Sequence, residues 1–392
     1  MVWSCIMQIT FLLGNGFDIQ CGLKTSYIDF YKYILKKKYS INLTKEIDKE
    51  LALKIDNIIY SEIYKSKDNI ENWADLELQL GVFTKRLKKR LNEPDQDVQK
   101  IANKFLNDFE ILREDLNEYL KYIQIQDEIE ISEDFSDILS TTMDKFFEGV
   151  FSREYDELNY ILKENRNSAF IYNFISFNYT NSLQEIIQSC GEISKRNIFN
   201  GSGLNQFINK KIINVHGLID NLLTLGLNDE TQLATDFFDM SDLNDLIKPK
   251  LLEINREYMR RDAEIIIDNS DIIVIFGMSI GSTDKHWWEK IANVLINSKN
   301  KKLIIHLYDE KPSLLSPRIA RKRRESKENE FLSQLNNLDL SDEQKVQLRK
   351  QIYIVTNSEY ILNVDLRKYL NQDKNESTNV IGLETKGNSK AV

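Results

Sequence analysis

Four short runs of this sequence carry residue types that could do chemistry. Leu12-Leu13-Gly14-Asn15-Gly16-Phe17-Asp18 ends an apolar stretch in two glycines, where bare backbone can approach a pyrophosphate and the N–H groups of a following helix can face it. Ile19 stands where a dinucleotide fingerprint has its third glycine, and no ribose-binding Asp or Glu follows roughly 20 residues on. A plain strand-to-helix turn explains the run equally well. Ser176-Phe177-Asn178-Tyr179-Thr180-Asn181 closes a second apolar stretch. There the Asn178 amide could hold a ribose hydroxyl or a water, while Thr180 or Asn181 reads first as a helix N-cap. Val215-His216-Gly217 sets an imidazole, which titrates near neutrality and can act as a general base, beside a glycine that leaves room for a ligand. Lone histidines are more often structural, and His306, inside the apolar run 303–307, reads that way. Last, Ile275-Phe276-Gly277-Met278-Ser279-Ile280-Gly281-Ser282-Thr283-Asp284 passes from apolar to small and hydroxyl residues before a helical pattern. It is either a second nucleotide-contacting loop or a turn with Asp284 as the cap, and the two are compatible.

Each run ends a stretch of strand length, at 8–13, 170–177, 211–215 and 271–276; further strand-like stretches lie at 222–227, 301–308 and 351–356. Several are apolar without alternation, as parallel strands covered on both faces are. Helical patterns at 182–188, 243–269 and 287–298 fall between them. The alternation predicts an α/β fold with a doubly wound, mostly parallel sheet. Ligands of such sheets bind beyond the carboxyl ends of the strands, so Gly14, Gly16, Asn178, His216, Gly277 and Ser279 should share one edge despite their separation in sequence. Thr25 to Phe30 reads as a capped helix start, and from Phe30 to Glu164 the apolar residues keep helical spacing, as in Trp73, Leu76, Leu80, Phe83 or Phe105, Phe109, Leu112, Leu116, Leu120. This predicts a large helical insertion after the first strand, with a turn at Pro94. The division expected is a sheet domain over 7–30 and 165–370, the insertion over 31–164, and a polar, disordered tail over 371–392.

Composition bounds the classes of function. The chain has 392 residues, 42% hydrophobic and 29% charged, with 4 Pro and 14 Gly, which excludes collagen-like and mostly disordered chains. With 52 Lys+Arg against 61 Asp+Glu the formal net charge is −9, so no global positive field draws it to nucleic acid or anionic lipid. The basic run Arg318-Ile319-Ala320-Arg321-Lys322-Arg323-Arg324 is followed by Glu325, Glu328 and Glu330, which favours a solvated helix face over a phosphate-binding one. Apolar stretches at 7–13 and 272–280 fall short of the roughly 20 residues of a membrane helix. The first 13 residues lack the basic start and cleavage site of a signal peptide and read as a buried strand, with Met7 a possible alternative start. Three scattered cysteines form neither a disulfide framework nor a metal site, so a cytoplasmic protein without a metal is expected.

Taken together, Leu13 to Asp18, Gly22-Leu23-Lys24-Thr25-Ser26-Tyr27-Ile28-Asp29-Phe30, Trp73-Ala74-Asp75-Leu76-Glu77, Phe177 to Asn181, Val215-His216-Gly217 and Gly277 to Asp284 resemble the AbiH family of bacterial abortive-infection proteins. That family is similar to the wider sirtuin-like group, whose glycine loop, Asn element, His-Gly element and Gly-x-Ser loop surround NAD. The resemblance implies a Rossmann-like, sirtuin-like fold with NAD or a related nucleotide as ligand or substrate. It implies Gly14 and Gly16 at the diphosphate, with Asn15, Phe17 and Asp18 in the same cofactor-binding loop. Asn178 and His216 would be catalytic beside the nicotinamide ribose, with Thr180 next to them. Gly277 and Ser279 would line the adenosine side, and Asp284 is a further cofactor-binding residue. Sirtuin deacylases carry a four-cysteine zinc module that three scattered cysteines cannot build, which leaves NAD glycohydrolysis as the implied reaction. Thr180 stands where sirtuins carry Asp, which motivates the alternative of a non-catalytic nucleotide sensor acting through a partner; a nucleic-acid-active effector is the third reading. A phage-derived trigger and a homo-oligomer are the partners that accompany the first.

Overall fold

In the computed structural model the described residues are 6–43, 48–66, 73–89, 97–126, 135–190, 196–199, 202–219, 221, 223–308, 316–356 and 360–363. Pro94 and the tail from 371, for which a turn and disorder are expected, lie outside them.

The first strand, β1 (Ile6–Leu13), leads into α1 (Asn15–Gln20) and α2 (Tyr27–Tyr39). Ser26 caps α2 by accepting the Asp29 N–H at 3.2 Å, as the sequence predicts. Helices α3 (Lys49–Lys54), α4 (Ile58–Ser66), α5 (Trp73–Lys89), α6 (Val98–Gln126), α7 (Ser136–Lys145) and α8 (Ser152–Glu164) precede β2 (Ala169–Ser176). Then follow α9 (Ser182–Ser189), β3 (Arg196–Phe199), β4 (Ser202–Ile208), β5 (Ile213–Asn214), α10 (Met240–Leu246) and α11 (Lys248–Asn269). The chain continues through β6 (Ile272–Phe276), α12 (Lys285–Asn297), β7 (Lys302–Leu307), α13 (Pro317–Ser333), α14 (Asp342–Arg349) and β8 (Ile352–Thr356).

The strands form one sheet in the order β3-β4-β2-β1-β6-β7-β8, with β5 also beside β2; every pairing is parallel except β3–β4. This is the α/β architecture expected. Alternate residues of each strand enter opposite cores, which is why the strands read as unbroken apolar runs. Ile9, Phe11 and Leu13 pack with Leu139 of α7, Leu158 of α8 and Ile186 of α9. On the other face Leu12, Ile275 and Ile305 pack with Ile267 of α11, Trp288 of α12 and Phe331 of α13. A third core joins α2, α4, α5 and α6 through Phe30, Tyr60, Leu76 and Phe109, and draws in Leu225, Phe238 and Leu246 from the chain after β5. That chain therefore ties the helical layer to the carboxyl edge of the sheet.

Three expectations change, and two strands appear for which there was none. The strand expected over 222–227 does not form over the described residues 223–227: Leu223, Leu225 and Leu227 bury themselves in the helical core, and Leu227 makes only an isolated bridge to Ile247. The helix expected over 243–269 breaks at Ile247, whose extended backbone lets Pro249 fall in the first turn of α11, where its missing N–H is tolerated. The strand expected at 211–215 shrinks to Ile213–Asn214. Strands β3 and β4 were without a sequence signal, because β4 reads Ser-Gly-Leu-Asn-Gln-Phe-Ile and lacks the apolar run of its neighbours. Among the described residues no helix is long and apolar enough to cross a membrane.

Candidate functional site

The loops after β1 and β6 are laced together by their backbones. Gly14 N–H donates to the Phe276 carbonyl at 3.0 Å and Gly16 N–H to the Gly277 carbonyl at 2.8 Å. A Cβ on Gly16 would stand 2.6 Å from the Gly277 Cα, so close approach of two loops is a physical reason for the glycines, whatever else binds there. Beside these loops lies a cavity of about 240 Å³. Gly14, Asn15, Gly16, Asp18, Asn178, His216, Gly277, Ser279 and Asp284 all line it, brought there by the ends of β1, β2, β5 and β6. Phe17 and Thr180 stand behind the wall: Phe17 is wholly buried in the sheet core, and Thr180 supports Asp18. Neither expected cap works as one. Thr180 turns its hydroxyl to Asp18, while Asn181, at the cap position of α9, makes no side-chain cap bond. Asp284 occupies the cap position of α12 but spends its carboxylate elsewhere.

Two clusters give the cavity its character. In the first, burial pushes the Asp18 carboxyl up to about 7, against the Thr180 hydroxyl, which donates to Oδ2 at 2.8 Å, and the nearby Asn178. Despite that proximity the Asn178 amide makes no hydrogen bond of proper geometry. Its Nδ2 and Oδ1, Asp18 Oδ1 and the Thr25 hydroxyl are all buried without a hydrogen-bond partner among the described residues. Each such atom costs about 1–3 kcal/mol, a cost that folding gives no reason to retain.

The Asp18 proton is held to a higher pH in the folded state than in the unfolded chain, where the carboxyl titrates near 3.8. Its contribution is therefore complete below that value and is lost as pH rises through about 7. Asp18→Asn keeps an acceptor for Thr180 and removes this loss. Melting temperatures measured from acidic to mildly alkaline pH should show the variant gaining on the wild type as pH rises; a constant gap would show that Asp18 titrates normally.

In the second cluster, Lys248 Nζ lies 2.8 Å from Glu77 Oε2 and 3.1 Å from Asp284 Oδ1, and the same Oδ1 is 3.1 Å from His216 Nε2. Burial alone raises Asp284, but Lys248 and His216 outweigh it and hold the carboxyl well below its usual range. Burial likewise opposes the Lys248 charge, and Asp284 and Glu77 more than compensate. Glu77 is pushed up by burial against the pull of Lys248. The His216 ring is clamped edge-on to Phe177 at 5.1 Å between centroids and stacked on Tyr179 at 6.1 Å. With Nε2–H donated to Asp284, the hydrogen-bond network assigns the lone pair to Nδ1, the nitrogen left for a ligand.

The other histidines are placed differently. His306 is buried among the strands, donates to the Phe146 carbonyl at 2.9 Å, and is pushed down to about 4 by burial. His286 pairs with Glu264 at 2.9 Å. In the basic run, Arg324 lies over the Phe151 ring and donates to the Gly149 carbonyl, and Arg321 pairs with Glu325 at 3.8 Å.

Reading the residues missed Glu77, Lys248 and Tyr179 as parts of the site. Trp73 and Glu77 carried a signal, since they stand one helical turn apart in the run used for the family resemblance, but nothing local assigned them a role. In the structure Trp73 Nε1–H donates to the Thr25 carbonyl at 2.9 Å, and both residues line the cavity. Lys248 had no signal beyond its neighbour Pro249.

Compared with known proteins, residues 10–309 match a family model described as bacteriophage abortive infection AbiH. The match contains every cavity residue named above. No curated protein matches the chain.

Proposed function

Because this chain belongs to the AbiH family, it has a role in bacteriophage abortive infection, and we propose that it acts there as an NAD glycohydrolase with a sirtuin-like, Rossmann-type nucleotide site. The observation that carries the reading is the Asn178 amide, buried and unpartnered in the same cavity wall as a histidine backed by a carboxylate. An amide of this kind offers a donor and an acceptor to a ribose hydroxyl or to a water. A volume of about 240 Å³ is below the roughly 300–1,000 Å³ of sites that enclose a whole drug-sized ligand, and it suits the reacting half of a dinucleotide better than the whole.

In the proposed reaction the C1′–N bond breaks and its electron pair leaves on nicotinamide. Water bonds to C1′ of the oxocarbenium-like ribose, and the proton lost by that water passes to His216 Nδ1. Asn178 orients the ribose or the water, and Asp284 steadies the imidazolium that forms. NAD is an intracellular metabolite, which is why the reading places the action in the cytoplasm. It also takes 31–164 as an insertion into a sheet domain made of 7–30 and 165–370.

The test is the NAD and nicotinamide content of bacteria challenged with phage while expressing the wild type or Asn178→Ala. NAD should collapse only with the wild type. Because the amide makes no hydrogen bond of proper geometry, the purified variant should stay folded and lose only the packing of one small buried side chain, melting close to the wild type. Growth arrest with a level NAD pool would remove the hydrolase reading.

A further inference from the structure

Two charged side chains in the cavity wall have no part in the scheme above. Glu77 comes from α5 of the helical layer, and Lys248 is the first residue of α11; their side chains are 3% and 5% exposed. A buried ion pair is a poor stabiliser, since its desolvation offsets much of its attraction. Its position behind the imidazole is more informative. We infer that Glu77 and Lys248 are positioning residues for His216: Lys248 holds Asp284 against the imidazole, Glu77 holds Lys248, and the helical layer thereby completes the site.

The chain of contacts has no gap. From Glu77 it runs 2.8 Å to Lys248, 3.1 Å on to Asp284 and 3.1 Å on to His216. Glu77 and Lys248 are both tied to the segment that joins the helical layer to the sheet. The Gly226 N–H donates to Glu77 Oε1 at 3.1 Å, and the Lys248 N–H donates to the Leu227 carbonyl at 2.7 Å. Lys285, next in the chain after Asp284, pairs instead with Glu289 at 3.7 Å and does not compete.

Charge gives the arrangement a direction. Two carboxyl groups, Glu77 and Asp284, face the one ammonium of Lys248, and only Asp284 also reaches the imidazole. Around the imidazole stand Asp284 at Nε2, Lys248 and Glu77 behind it, the stacked Tyr179, whose phenol burial keeps protonated, and the apolar Phe177. Asp18 and Tyr27 are the other titratable residues that line the cavity. Removing the Glu77 charge should make His216 a weaker base, and removing the Lys248 charge a stronger one. A structural role alone would not produce opposite signs.

The catalytic meaning of this positioning rests on the proposed hydrolysis, but its test does not. The sequence has three histidines, so the His216 imidazole can be titrated by NMR in the full chain, with His286 and His306 as internal references. In Glu77→Gln, which keeps the shape and the acceptor for Gly226, the His216 pKa should fall by about one pH unit; in Lys248→Met it should rise by about one. Any acidic limb of the rate of nicotinamide release should move with it. A titration that stays put in both variants, or moves the same way in both, overturns the inference. Should Lys248→Met not fold, Glu77→Gln decides alone by the presence or absence of the fall. Opposite shifts without NAD turnover in any of the proteins would support the positioning and remove the hydrolase reading, whereas turnover with unmoved titrations would overturn only the positioning.

Discussion

His216→Ala is expected to slow nicotinamide release by about 10²–10⁴-fold, the range lost with a positioned general base. The argument is geometric. Nε2 is committed to Asp284 at 3.1 Å, and the ring is held between Phe177 and Tyr179, so Nδ1 can face a ligand in only one way. Removal of the ring leaves Asp284 paired with Lys248 at 3.1 Å, so no buried charge is orphaned and the fold should survive. Two measurements separate chemistry from architecture. Free imidazole added to the variant should restore part of the rate, and dinucleotide affinity should change far less than turnover. Full turnover in the variant would exclude His216 as the base; turnover absent from wild type and variant alike, with a dinucleotide still bound, would favour the sensor reading.

Gly277→Ala should be among the most damaging small substitutions in the sheet. Gly277 has φ +68, where an L side chain is strained, and its Cβ would lie 2.6 Å from Phe17 N and 2.9 Å from Gly16 Cα. Those neighbours are backbone and cannot turn aside, so we expect a loss of about 3 kcal/mol or more from strain and overpacking together. Gly22 supplies the control. Its φ is +87, but nothing lies within 4 Å of an added Cβ, so Gly22→Ala should show the conformational penalty alone, about 1–2 kcal/mol. Denaturant unfolding of both variants measures the difference. Equal losses would mean that the β1 and β6 loops are not held by close packing. Gly277→Ala should also lose activity, because α1, which carries Asp18, and the loop that carries Ser279 would separate.

Much of the fold was legible because its signals are local. The apolar runs that became β1, β2, β6, β7 and β8 reflect strands buried on both faces, and the helical spacing of Phe105, Phe109, Leu112, Leu116 and Leu120 survives in α6. The strand expected over 222–227 misled because Leu223, Leu225 and Leu227 satisfy a strand pattern and a loop buried in a helical core equally well. Only the presence of α5 and α6 decides between them. Strand β3 is the edge of the sheet and β4 stands next to it, between β3 and β2, at the end of the sheet where pairing needs no apolar run.

By itself the sequence determined which residues would stand at strand ends, and so that Gly14, Gly16, Asn178, His216 and Gly277 would meet at one edge of a parallel sheet. Strand direction and turn chemistry are properties of neighbouring residues, and such neighbours are written next to one another. Tertiary structure alone decided that Phe17 faces the core while Asp18 faces the cavity, that the Asn178 amide is left without a partner, and that Glu77 reaches Lys248 behind His216. Those outcomes depend on burial and on charges brought together from distant parts of the chain. The cost of desolvating a carboxylate or an amide is set by what packs around it, and no local pattern contains that.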